Sequence, residues 1–148
     1  MSTFITEPRK LGKVKKAVLL GIAGSNNAFC LSLYNLKSYA YSDLEIRSTW
    51  DISVIQHPLI HVNQVSEKVS SLVDQIVSLK PDLVGFSCYM WNVNALRELS
   101  VALRQQLPET DLLWGGPEMV TDYVKEGNFD DFDMDFCISG EGEATFLE

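Results

Sequence analysis

The sequence predicts an α/β domain built on a five-stranded, doubly wound parallel sheet, and three observations carry that expectation. Short runs that are apolar throughout alternate with longer segments whose apolar residues recur every three or four positions. The runs carry no polar face, as expected of strands covered on both sides. Small, turn-forming residues follow several of them, where a parallel strand must hand over to a crossover helix.

Taken in order, Lys16–Ala23 (KAVLLGIA) is the first strand, ended by Gly24-Ser25-Asn26-Asn27. Phe29, Leu33, Leu36 and Ala40 then recur at steps of four, three and four, which predicts an amphipathic helix from Asn27 to about Tyr41. Leu44–Ile55, with Ile46, Trp50, Ile52, Val54 and Ile55, reads as the second strand, broken near Trp50-Asp51. After the loop His57–His61, a helix carries Val65, Val69, Leu72 and Ile76 on one face. Pro81-Asp82 ends it and opens the third strand, Leu83–Cys88.

Asn92 or Asn94 is placed to cap the next helix, whose stripe is Leu96, Leu99, Leu103 and Leu107, closed by Pro108. Asp111–Trp114 is the fourth strand and runs into Gly115-Gly116-Pro117-Glu118. A short helix over Glu118–Glu126, an acidic loop, the strand Phe136–Ser139 and a last helix after Gly140-Glu141-Gly142-Glu143 complete the chain. The order is that of a Rossmann-like or flavodoxin-like domain over residues 16–148, preceded by a basic lead over residues 1–15. The last helix is only begun at Glu148, which suggests a piece of a longer polypeptide.

The 148 residues suit one domain. Net charge is −8, which disfavours nucleic acid and anionic membrane as partners. No apolar run approaches the roughly 20 residues that span a bilayer, so the expected location is the cytoplasm. Five of the twelve Lys and Arg residues fall in residues 1–16, and twelve of the twenty acids in residues 108–148. Both blocks read first as solvated surface. Cys30, Cys88 and Cys137 form no CxxC, no CxxxCxxC and no zinc-type spacing. His57 and His61 are four apart, but Pro58 denies them a shared helix face, and no metal site is expected there.

In an open parallel sheet, ligands bind beyond the carboxyl ends of the strands, where the strand order reverses. That rule selects Gly24, Ser25, Asn26 and Asn27; Ser87, Tyr89, Trp91 and Asn92; Gly115, Gly116, Pro117 and Glu118; and Gly140, Glu141 and Gly142. Each segment also has a plain structural reading as a turn, a self-bonded serine, a buried aromatic or a helix cap. The first turn is neither GxGxxG nor a P-loop, so a nucleotide is weakly supported. No Ser-His-Asp or Cys-His set can be assembled. The residues alone reach a ligand-binding α/β domain without catalytic machinery.

Ser87-Cys88-Tyr89-Met90-Trp91-Asn92, then Trp114-Gly115-Gly116-Pro117-Glu118, then Gly140-Glu141-Gly142-Glu143-Ala144-Thr145-Phe146 resemble, in this order, the N-terminal cobalamin-binding domain of cobalamin-dependent radical SAM enzymes. The resemblance covers about residues 16–148 and includes the anaerobic magnesium-protoporphyrin ester cyclase-like group. It implies that Gly115 and Gly116 let cobalamin's nucleotide tail pass the sheet edge and that Ser87 contacts the tail's base. It also implies that Ser25–Cys30 replaces the DxHxxG motif of other cobalamin domains, with Asn27 where the cobalt-ligating histidine stands.

On this resemblance the partner is a C-terminal radical SAM barrel of the same polypeptide. That barrel would hold a [4Fe–4S] cluster and S-adenosylmethionine for methyl transfer or ring formation. This chain has no cluster motif and is expected to be inactive by itself. The competing expectation is a cofactor-free, flavodoxin-like interaction domain, and the two part on one point. A groove beside the paired glycines must be open, not plugged by Tyr89, Trp91 or Phe29.

Overall fold

Strands β1 (Lys15–Ile22), β2 (Trp50–His57), β3 (Leu83–Ser87), β4 (Asp111–Gly115) and β5 (Phe136–Cys137) form one sheet in the order β2-β1-β3-β4-β5. Every pairing is parallel. The computed structural model describes residues 12–148. Most of the basic lead, with Arg9 and Lys10, lies outside the described residues. The strand order is the flavodoxin-like one, and it reverses direction between β1 and β3.

The helices are α1 (Leu31–Ala40), α2 (Leu44–Thr49), α3 (Val65–Leu79), α4 (Val93–Gln106), α5 (Thr121–Lys125) and α6 (Glu143–Leu147). The stripes read from the sequence are the buried faces of α3 (Val69, Leu72, Val73, Ile76) and α4 (Leu96, Leu99, Leu103). Both pack on the sheet face that carries Val18, Leu20, Ile22, Val84, Phe86, Leu112 and Trp114. Each fully buried Leu or Ile there contributes roughly 1.5–3 kcal/mol. On the opposite face α1 and α6 cover Ala17, Leu19 and Ile52 in a smaller second cluster.

Two expectations are corrected. The first half of the expected second strand, Leu44–Thr49, is a helix, and the strand begins at Trp50. Asp43 causes this: its Oδ1 accepts from the backbone N–H of Glu45 at 2.8 Å and of Ile46 at 3.0 Å, an N-cap that starts a turn before the apolar run can extend. The first helix begins at Leu31, not Asn27. Gln56 on β2 takes the Cys30 N–H on its Oε1 at 2.7 Å and donates from Nε2 to the Ala28 carbonyl at 3.1 Å. Those bonds hold residues 28–30 out of the helix, and Phe29, expected on the buried stripe, is exposed and stacked on Tyr34.

Candidate functional site

The register places small residues side by side at the carboxyl ends of the central strands. Gly21 of β1 pairs with Ser87 of β3, which pairs with Gly115 of β4, all on the α1 side of the sheet. One step back along the strands, Leu19, Gly85 and Leu113 form the next row on that side. At Gly21 the missing side chain is replaced by neighbours: a Cβ there would meet Cys30 Sγ at 2.7 Å and Leu33 Cδ1 at 2.8 Å. At Gly115 nothing takes its place, because the nearest atom to a built Cβ is the Ile138 carbonyl oxygen at 3.9 Å. The uncovered strip over β3 and β4 is a groove of about 630 Å³.

Four segments build its walls. Ser32, Leu33 and Leu36 of α1 form one side. Ile138 through Glu143, with Phe146 of α6, form the other. Leu19, Gly85 and Leu113 floor it, and Ser87, Tyr89, Gly115, Gly116 and Pro117 stand at the strand ends. Gly140, with φ 86°, has nothing within 4 Å of where a side chain would be, so the rim stays open there.

The paired glycines serve two purposes. Gly115 is the open floor. Gly116 has φ 105°, and a Cβ on it would lie 2.5 Å from the Cys88 carbonyl oxygen and 2.6 Å from the Cys88 nitrogen. Only glycine permits that approach. The Cys88 N–H donates to the Gly115 carbonyl at 2.7 Å and the Glu118 N–H to the Cys88 carbonyl at 3.3 Å, so the ends of β3 and β4 are stitched together. Behind this junction the Cys88 thiol is sealed. Burial, then the charges of Glu118 and Cys137, push its pKa up to about 12, which leaves it no thiolate chemistry near neutrality.

The loop after β3 is held from beneath. Asn92 is 1% exposed. It stands at the N-cap position of α4 but makes no cap bond. Its Oδ1 accepts from the Tyr89 N–H, and its Nδ2 donates to the carbonyls of Ile22 and Ser87. Trp91 Nε1 donates to the same Ile22 carbonyl at 3.0 Å. Its ring lies against Gly24, where a Cβ would come within 3.2 Å, and stacks on Tyr89 with centroids 4.5 Å apart. The loop is thereby fastened to the end of β1.

Of the residues selected from the sequence, Ser87, Tyr89, Gly115, Gly116, Pro117, Gly140, Glu141 and Gly142 line the groove. Gly24, Ser25, Asn26 and Asn27 are exposed on the first loop and do not line it, nor do Trp91, Asn92 and Glu118. Asn92 and Trp91 brace Tyr89 from outside the groove. Sequence reasoning missed the walls and floor: Leu19, Ser32, Leu36, Gly85, Leu113, Ile138 and Phe146. One signal was available, since a lone glycine inside an apolar strand, Gly85, marks close approach to the sheet; here it is the Leu19 side chain, whose Cδ2 would lie 2.8 Å from a Cβ, that takes the space and forms the floor. Tyr89 stands at the rim, and Phe29 and Trp91 are not among the lining residues, so none of the three plugs the passage beside the glycines.

Comparison with known proteins agrees with this fold. Residues 49–148 match the family described as the B12 binding domain. Among curated proteins, the chain is 30% identical over 115 residues to the cobalamin-dependent radical SAM methyltransferase TokK of Streptomyces tokunonensis. It is 29% identical over 116 residues to the 2-(S-pantetheinyl)-carbapenam-3-carboxylate methyltransferase of Streptantibioticus cattleyicolor. Each match takes in 76% of this chain and 15% of the relative, so the chain spans a small part of the proteins it resembles.

Proposed function

This chain belongs to the B12-binding domain family, and from that premise we propose that it holds cobalamin, with the nucleotide tail in the groove and the corrin at the strand ends. The corrin would face a radical SAM barrel carried elsewhere in the same polypeptide. One observation supports the reading above the others. Beside Gly115 the sheet face is bare, in a fold whose other sheet face is closed by α3 and α4.

The fit rests on this chain's own groups. Ser87 is 8% exposed and lines the groove, and its hydroxyl has no hydrogen-bond partner among the described residues, so it is free for a ligand. Tyr89, stacked on Trp91, offers an aromatic rim to a flat macrocycle. Glu141 and Glu143 bring acceptors to the mouth, matched to the carboxamide N–H groups that fringe a corrin. No histidine lines the groove, which leaves the cobalt without an imidazole from this motif.

When bound, the corrinoid supplies cobalt chemistry suited to carrying a methyl group; the domain binds, orients and shields it. The [4Fe–4S] cluster and S-adenosylmethionine belong, on this reading, to the part of the polypeptide outside this chain, as do substrate and reaction.

Mixing the chain with hydroxocobalamin, desalting and recording the visible spectrum tests the proposal. Corrin absorbance is expected to travel with the protein. Gly115→Leu fills the floor at a position without positive φ. It is expected to abolish that co-migration while the thermal midpoint moves by no more than a few degrees. A wild-type chain that emerges colourless, with or without excess cofactor, overturns the reading in favour of a cofactor-free interaction domain.

A further inference from the structure

The segment that follows β1 is exposed and yet carries no charge. From Ala17 to Leu36 there is no Asp, Glu, Lys or Arg, in a chain that holds 20 acidic and 12 basic residues. Burial accounts for residues 17–23. It does not account for residues 24–29, 31, 32, 34 and 35, all of which are exposed.

Within that strip three large side chains meet. Phe29 is 60% exposed and Leu31 58%. Phe29 stacks on Tyr34 with ring centroids 4.8 Å apart, and Leu31 stands three residues before Tyr34, on the same outward face of α1. The position of Phe29 is enforced, because Gln56 bonds the Cys30 N–H on one side of it and the Ala28 carbonyl on the other.

A single exposed apolar residue needs no explanation. A contiguous aromatic and aliphatic patch, pinned out of the core in a strip stripped of charge, has the composition of an interface centre. The patch flanks the groove without belonging to it: Ser32 lines the mouth, and Phe29, Leu31 and Tyr34 are not among the lining residues. Two observations name its occupant. The matched region is only 15% of each curated relative, so most of each of those proteins lies beyond a domain like this one. The strip also offers no Lys or Arg to an anionic lipid surface or an acidic partner.

We propose that Phe29, Leu31 and Tyr34 are the seat of a direct interdomain contact, on which an apolar, uncharged surface of the barrel in the same polypeptide packs against the start of α1. The inference rests on the proposed function for the identity of the barrel. It adds to that reading a protein contact that forms whether or not the cofactor is bound.

Hydroxyl-radical labelling of side chains, read by mass spectrometry, tests this on the chain alone and on the whole polypeptide, each with and without hydroxocobalamin. Phe29 and Tyr34 are expected to label about fivefold less in the whole polypeptide in both conditions, as side chains at the centre of an interface do. Tyr39, exposed further along α1, is expected to label alike in the two proteins. Replacing the patch by Phe29→Ser with Leu31→Ser is expected to restore Tyr34 labelling in the whole polypeptide and to leave hydroxocobalamin co-migration with the chain unchanged. Equal labelling of wild-type Phe29 and Tyr34 in the two proteins overturns the docking face and leaves corrinoid binding standing. Protection that needs hydroxocobalamin gives the patch to the corrin, and protection of the chain alone at rising concentration gives it to a second copy; either overturns the proposal. Protection in a polypeptide that binds no hydroxocobalamin upholds the docking face and overturns the proposed function.

Discussion

The two faces of the sheet are built from adjacent residues and come out opposite. On the α3/α4 face one register row runs Ile55, Leu20, Phe86, Trp114, and all four are buried under helices. The next row, one residue earlier, runs Val54, Leu19, Gly85, Leu113 on the other face, and one residue later lie Gln56, Gly21, Ser87, Gly115. The first face spends its side chains on density. The second withholds them at Gly21, Gly85 and Gly115; Cys30 and Leu33 fill the gap at Gly21, Leu19 leans over Gly85, and Gly115 is left open. The groove here is a packing deficit confined to two strands, tolerated because the opposite face supplies most of the core.

That contrast is best broken by deletion on each side. Trp114 is fully buried, its ring tilted at 45° against Phe86 with centroids 4.8 Å apart, and its Nε1 donates to the Asp133 carbonyl. Trp114→Ala is expected to cost about 3–5 kcal/mol, whereas Leu113→Ala, its neighbour on the groove side, is expected to cost about 1–2 kcal/mol. Denaturant unfolding of the two variants checks the ratio. Equal losses would mean the groove face is as tightly packed as the other.

Gly116→Ala comes next. The strained φ and the overlap with the Cys88 backbone together are expected to cost about 2–3 kcal/mol, seen by calorimetry. Gly115→Ala is expected to lie within about 1 kcal/mol of wild type, because its Cβ enters open space. A reversed order would show that the two glycines had been assigned the wrong roles.

The smallest effect concerns the seam that closes the packed side. Arg104 of α4 binds the carboxylates of Asp133 and Asp135 and the carbonyls of Pro108 and Thr110. Burial works to raise the Asp135 pKa. The Arg104 hydrogen bond, the Leu112 N–H and the Arg104 charge outweigh it and hold the carboxyl below its usual 3.8. A depressed carboxyl contributes stability above the unfolded value that is lost as pH falls through the folded one. The difference between wild type and Asp135→Asn is therefore expected in full at pH 6 and to shrink below about pH 4. Being partly exposed, the pair is expected to contribute under about 1 kcal/mol. A difference that does not change between pH 6 and pH 3 would refute the bridge's role.

Much of the fold was legible because period and punctuation agreed. The stripes of α3 and α4, the apolar runs of β1, β3 and β4, and the glycine turns are local signals that the tertiary structure keeps. The misreadings share one cause, partners distant in the chain or capping atoms that apolar spacing does not weigh. Gln56 unwinds residues 28–30 from another strand, and the Asp43 cap outweighs the strand-like run after it. Part of the site was legible for a similar reason. Ser87, Gly115, Gly116 and Gly140 announce themselves as small residues at strand ends, but Asn92 and Trp91 look like rim residues until their bonds to the Ile22 carbonyl show them holding the loop down.

Hydrophobic period and turn chemistry are properties of neighbours along the chain, so the sequence by itself determined the strand and helix alternation, the parallel sheet and the small residues at its edge. Which of those small residues opens onto space and which is filled depends on register and on helix placement, and only the tertiary structure decided it. Gly21 and Gly115 occupy the same row of the sheet; one receives Cys30 from just before α1 and Leu33 from within it, and the other, two strands away, is reached by neither.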